Sequence, residues 1–145
     1  MKPEVDQILQ FSAGQLMTGI APLLPAGYEQ GAVSLVGIMM LLSAQEYDRG
    51  ADIRATENTD IRKLFAELLP NVRDAALKGK IKSASETKDI SLTISSLDTA
   101  NYELRRLLIS LHEHIEAQGD AAAAKRIWTV LKAMADRRFV APPMG

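Results

Sequence analysis

Cysteine is absent from the 145 residues, which excludes disulfides, thiolate nucleophiles and cysteine-ligated zinc or iron–sulfur centres. That absence agrees with a reducing, cytoplasmic setting. No charge of one sign predominates either. The formal net charge is −1, so no whole-molecule field draws the chain to nucleic acid or an anionic membrane. The sequence also lacks a glycine-rich phosphate loop, a nucleophile elbow, a His-Glu-x-x-His pair and a basic recognition helix. Long hydrophobic runs are missing too. The most apolar stretch, "AVSLVGIMMLL" at 32–42, is about half of what spans a bilayer, so it reads as a buried helix segment. Glu4 and Asp6 stand where a secretory leader has its basic region, so no signal peptide is expected. The expectation is a soluble cytoplasmic protein with no nucleic-acid or membrane partner.

What is present is helical periodicity. With 47% hydrophobic and 24% charged residues, the chain has the composition of one ordinary globular domain, long enough to bury a core. In the first segment Val5, Ile8, Leu9, Leu16, Met17, Ile20 and Leu23 keep one face inward, with Pro3 in the first turn and Pro25 at the stop. A second helix is expected from near Tyr28, with Leu35, Ile38, Met39 and Leu42 as its apolar stripe. Its later part carries Glu46, Asp48, Arg49, Asp52 and Arg54, a charge run that reads as a solvated face, and Gly50 permits a bend. A shorter helix at about 59–69 turns Ile61, Leu64, Phe65 and Leu68 inward and is closed by Pro70.

From about 70 to 88 the pattern fades. Lys78, Lys80, Lys82 and Lys88 lie among serines and a glycine, which predicts a flexible, solvated basic connection. Without aromatics or arginine forks it does not suit nucleic acid. The next helix carries an unbroken four–three repeat: Ile90, Ile94, Leu97, Asn101, Leu104, Leu108, Leu111 and Ile115. Such a seam demands a long partner helix. Its start is open between Asp89 and Ser96, because "DISLTIS" also alternates like a strand. "QGD" at 118–120 ends it. Asp120 is the expected N-cap of a last helix reaching about Arg138, with Ala124, Ile127, Trp128, Leu131 and Met134 inward. The proline-containing tail spans 139–145. Together these elements predict an all-α, up-and-down antiparallel helical bundle of four main helices plus a short extra helix, in a single domain.

Three features bear on chemistry. "LHEHIE" at 111–116 holds the only two histidines, but His112 and His114 differ by about 200° in azimuth on a helix and cannot share a metal ion. His112 and Glu116, four apart, share a face and are the one candidate ligand pair. The chain contains no Glu-x-x-His of the kind that builds di-iron bundle sites. Asn101 is the single polar residue on the apolar seam. A buried asparagine there fixes register or partner, or meets a ligand held among Leu104, Leu108, Trp128 and Met39. Met39 and Met40 themselves read as core filler, with a second use on adaptable partner surfaces.

Over most of its length the chain resembles a proteobacterial family of small helical proteins of unknown function, often encoded beside acyl-CoA dehydrogenases and aminoglycoside-phosphotransferase-like proteins. The resemblance is carried by "VDQILQF", "VSLVGIMMLLSAQEYDRG", "IRKLFAELL", the Asn101-x-x-Leu104 step in "SLDTANYELRRLLISL", and "IWTVLKAMADRRFVAPP". It implies an accessory role near acyl-CoA metabolism and makes Asn101 a family feature. The expectation is thus a non-enzymatic interaction or accessory protein without a cofactor, homodimeric and able to meet a protein partner. The alternatives are a module binding an acyl or aromatic ligand inside the bundle, and a metal-dependent enzyme using His112 and Glu116, with Glu46 as a further candidate.

Overall fold

The computed structural model describes residues 4–140, and every regular element among them is helical, so the fold is all-α. The α-helices are α1 (Val5–Gly14), α2 (Tyr28–Leu68), α3 (Ala75–Ser85), α4 (Ile94–Ala117) and α5 (Ala121–Arg137). None is long and apolar enough to cross a membrane. Pro3 and the two prolines of the tail lie outside the described residues. The chain divides into two compact units, an N-terminal one reaching Gly50 and a C-terminal one over Ala51–Phe139.

In the N-terminal unit the expected single helix up to Pro25 is broken into three geometries. After α1 the chain is π-helical over Gln15–Ile20 and 3-10 over Ala21–Leu23. Pro22 has no N–H to return to Thr18, and the Thr18 hydroxyl donates to the Gly14 carbonyl at 2.8 Å, so the regular ladder cannot continue. Leu24, just before Pro25, is extended, as a residue preceding proline prefers. The first part of α2 packs on this segment through small residues. Gly37 is buried, and a Cβ on it would stand 2.4 Å from Met17 Cγ and 3.3 Å from the Ala13 carbonyl oxygen. Among the described residues of the unit, the buried hydrophobics are Ala13, Ala21 and Ala44.

In the C-terminal unit α2 continues without interruption, so the short helix expected at 59–69 is its last part. Gly50 does not break it. A glycine inside a helix costs only about 1 kcal/mol relative to alanine, and Ser43 and Thr59 return their hydroxyls to carbonyls four residues back. Its buried stripe runs Ile53, Glu57, Ile61, Leu64, Phe65 and Leu68. Pro70 falls in a 3-10 turn, Leu69–Asn71, that closes the helix.

The connection expected to be a flexible loop from 70 to 88 instead contains α3. Asp74 caps it by accepting from the Leu77 amide at 2.6 Å, and Ile81 is fully buried between partly buried Leu77 and Ala84. Lys78, Lys80 and Lys82 dilute that three-residue stripe until it escapes notice. They are exposed, as expected.

On α4 the buried set is Leu97, Asn101, Leu104, Leu108, Leu111 and Ile115, the expected seam less its first two members. Ile94 opens the helix and is 38% exposed, whereas Ile90 precedes it and is 98% exposed. Neither Asp89 nor Ser96 caps α4. Thr93 takes the N-cap position without a side-chain bond. Asp120 does cap α5, accepting from the Ala123 amide at 3.0 Å, and Gly119 makes the turn with φ +71°. The buried face of α5 is Ala123, Ile127, Val130 and Met134. Trp128, expected inward, is 58% exposed because it lies beside that face.

Polar pairs fix how these helices run. Arg126–Glu67, Arg137–Asp60 and Arg138–Glu57 step in opposite directions along α5 and α2. Asn101 with Asn58 and Gln118 with Asn71 step in the same direction along α4 and α2. Between them lies one core built on Phe65, Ile61, Ile81, Leu111 and Ile127, each such side chain contributing about 1.5–3 kcal/mol by burial.

Candidate functional site

Asn101 does not stand alone on the seam. Its position brings it against the buried stripe of α2, where Glu57 and Asn58 are fully buried. The Asn101 amide donates to Glu57 Oε2 at 3.2 Å and to Asn58 Oδ1 at 3.0 Å. Asn58 in turn donates to the Leu97 carbonyl oxygen at 3.2 Å and to Asp89 Oδ1 at 3.0 Å. Arg138, at the end of α5, grips Glu57 with two bonds of 2.7 Å and reaches Asn101 Oδ1 at 3.4 Å. Arg62 closes the far end on Asp89 at 2.8 Å. The Glu57 bond pulls the Arg138 guanidinium above its ordinary pKa, so its charge is permanent.

This relay joins α2, α4, the segment before α4 and the end of α5. Both amide hydrogens of Asn101 are engaged, and so are both oxygens of Glu57. A buried carboxylate is tolerated only when paired and hydrogen-bonded in this way. Its chemistry is that of a register lock: a helix slid by one turn would leave Glu57 buried and unpaired. Glu57 and Arg138 escaped sequence reasoning. Glu57 falls midway between Ile53 and Ile61 on an apolar stripe, a usable signal for a buried carboxylate, but its cation lies 81 residues away.

A cleft of about 670 Å³ opens beside the relay, lined by Asp98, Asn101, Tyr102, Arg105 and Arg138 among others. The residues expected to surround a ligand there are dispersed. Leu104 and Leu108 belong to the packed core, Trp128 is on the outer side of α5, and Met39 is in the N-terminal unit, 57% exposed.

The two histidines diverge as the helical azimuth requires. His114 Nε2 accepts from the Arg73 amide at 3.1 Å. His112 meets the Trp128 ring edge-to-face, with centroids 5.3 Å apart. Its Nε2 is 3.2 Å from Glu116 Oε1, yet the atoms are misaligned and that nitrogen makes no hydrogen bond. The pair is therefore a proximity, and it supplies two ligands where a held ion needs more. Among the described residues no group of three or more histidines or carboxylates is gathered, Glu46 included.

No known protein family, curated protein or solved structure matches the chain. A second concavity is a groove of about 770 Å³ between α3 and α4, bordered by Lys80, Lys88 and Arg106 over Leu104 and Leu107.

Proposed function

We propose that the chain is a non-enzymatic interaction protein that assembles as a homodimer through its N-terminal unit. The observation that carries this reading is the stripe Leu35, Met39 and Leu42 on α2, 56%, 57% and 36% exposed. Those positions, at i, i+4 and i+7, lie on one face of the helix, away from Gly37, which packs on α1. A helix apolar all round calls for cover on every side. Phe11, Ile8 and Val36 of the same unit are exposed as well.

A unit of about fifty residues whose buried hydrophobics, among the described residues, are alanines has too little core to stand on burial alone. Small units make up this deficit with disulfides, metal ions or oligomerisation. The sequence has no cysteine, and no metal-ligand group is gathered among the described residues, which leaves association. A stripe that is apolar along its length meets its own copy across a two-fold axis without a second surface having to match. The resemblance drawn from the sequence adds the physiological setting, an accessory role beside acyl-CoA metabolism.

Light scattering at micromolar concentration tests the assembly. The mass is expected to be twice the 15.8 kDa of the chain, and the double variant Leu35→Glu/Met39→Glu is expected to return it to 15.8 kDa. A wild-type mass of one chain refutes the reading.

A further inference from the structure

We infer that the groove between α3 and α4 is a binding site for a small amphiphilic anion, a carboxylate on an aliphatic chain. The groove, about 770 Å³, has the size of small-molecule sites. Its floor is aliphatic, formed by Ala84, Ala100, Leu104 and Leu107, and no aromatic residue lines it. That excludes the stacking surface a nucleobase or other flat ring would use and favours an alkyl body.

The charges around the rim are unequal. Five charged side chains line the groove: Arg62, Lys80, Lys88, Arg106 and Glu103. Arg62 is neutralised by Asp89 at 2.8 Å, and Arg106 stands 3.8 Å from Glu103. Lys80 and Lys88 have no ion-pair partner among the described residues and are exposed. Two uncompensated ammonium groups above an aliphatic floor match a negative head joined to an apolar tail.

Ile90 gives a second, independent pointer. It also lines the groove, two residues beyond Lys88, and is 98% exposed. An isoleucine gains nothing from water, and a chain lying in the groove beneath it would remove its surface from solvent.

Calorimetric titration of the full chain with dodecanoate, kept below its micelle concentration, tests the site. Saturable binding of one dodecanoate per chain is expected, with no binding of acetate, which lacks the tail, or of dodecyltrimethylammonium, which reverses the head. Lys80→Glu/Lys88→Glu, with far-UV circular dichroism as the check on folding, is expected to weaken binding by about tenfold or more, the scale of a lost charge-assisted contact. Leu35→Glu/Met39→Glu is expected to leave it unchanged, so the site stands or falls separately from the dimer. Absence of dodecanoate binding overturns the inference. So does equal binding of the cationic amphiphile, insensitivity to the lysine reversals, or binding confined to anionic phosphatidylglycerol vesicles.

Discussion

The two units of this chain treat hydrophobic residues in opposite ways. In the C-terminal unit Phe65, Ile61, Leu64, Leu111, Ile115 and Ile127 are fully buried, and the polar residues among them are paired with one another. Among the described residues of the N-terminal unit the buried hydrophobics are Ala13, Ala21 and Ala44, while Leu35, Met39 and Phe11 are exposed. Yet the most apolar stretch of the whole sequence, 32–42, lies in that second kind of unit. Apolar composition is therefore no measure of a core. What decides is whether large side chains find neighbours inside the same chain, and here the close, glycine-mediated approach at Gly37 uses one face of α2 and leaves the other open.

The sharpest way to break this contrast is to make one substitution in both units. Leu111→Ala is expected to cost about 2–5 kcal/mol in denaturant unfolding, since it empties a fully buried position. Gly37→Ala comes next, at about 1–3 kcal/mol, because the added carbon must displace Met17. It is expected to appear in melting of the N-terminal unit and to leave the C-terminal transition in place. Leu35→Ala in dilute protein is expected to change stability by about 0.5 kcal/mol or less, as at an open surface position. A loss as large as that of Leu111→Ala would mean the stripe is core after all.

The smallest effect concerns acid. The Ala123 amide, and then the Asn71 side chain, lower the pKa of the Asp120 carboxyl below its ordinary 3.8. A depressed carboxylate adds stability that is present above 3.8 and lost as pH falls through the lower folded value. Asp120→Ala is therefore expected to lower the denaturant midpoint at neutral pH and to match wild type in strong acid. A gap that persists in acid would assign the effect to helix propensity rather than to the charge.

Much of the C-terminal unit was legible in the sequence because its signals are local. The seam from Leu97 to Ile115, the inward set Ile61, Leu64, Phe65 and Leu68, and the Asp120 cap each follow from spacing within one helix. Less local features escaped. α2 reads as two helices because its apolar stripe lapses through the charge run after Leu42 and resumes clearly only at Ile61, although a helix needs no apolar face along its whole length. α3 hides because one buried isoleucine among lysines makes no periodic pattern. Trp128 fits the helical spacing of the inward set, but the buried face of α5 lies one position back, at Ala123 and Val130 in place of Ala124 and Leu131. At the candidate site Asn101 stood out as the polar member of an apolar seam. Its partners Glu57 and Arg138 did not, since only the fold brings α2 and the end of α5 to it.

The contrast between the units predicts that only one of them depends on concentration. Hydrogen exchange at two protein concentrations, one above and one below the dimer transition, reads this directly. Amides of α1 and of α2 up to residue 47 are expected to gain protection at the higher concentration. Those of α4 and α5 are expected to exchange at the same rate in both. Protection of the N-terminal unit that is equal at the two concentrations would contradict the account.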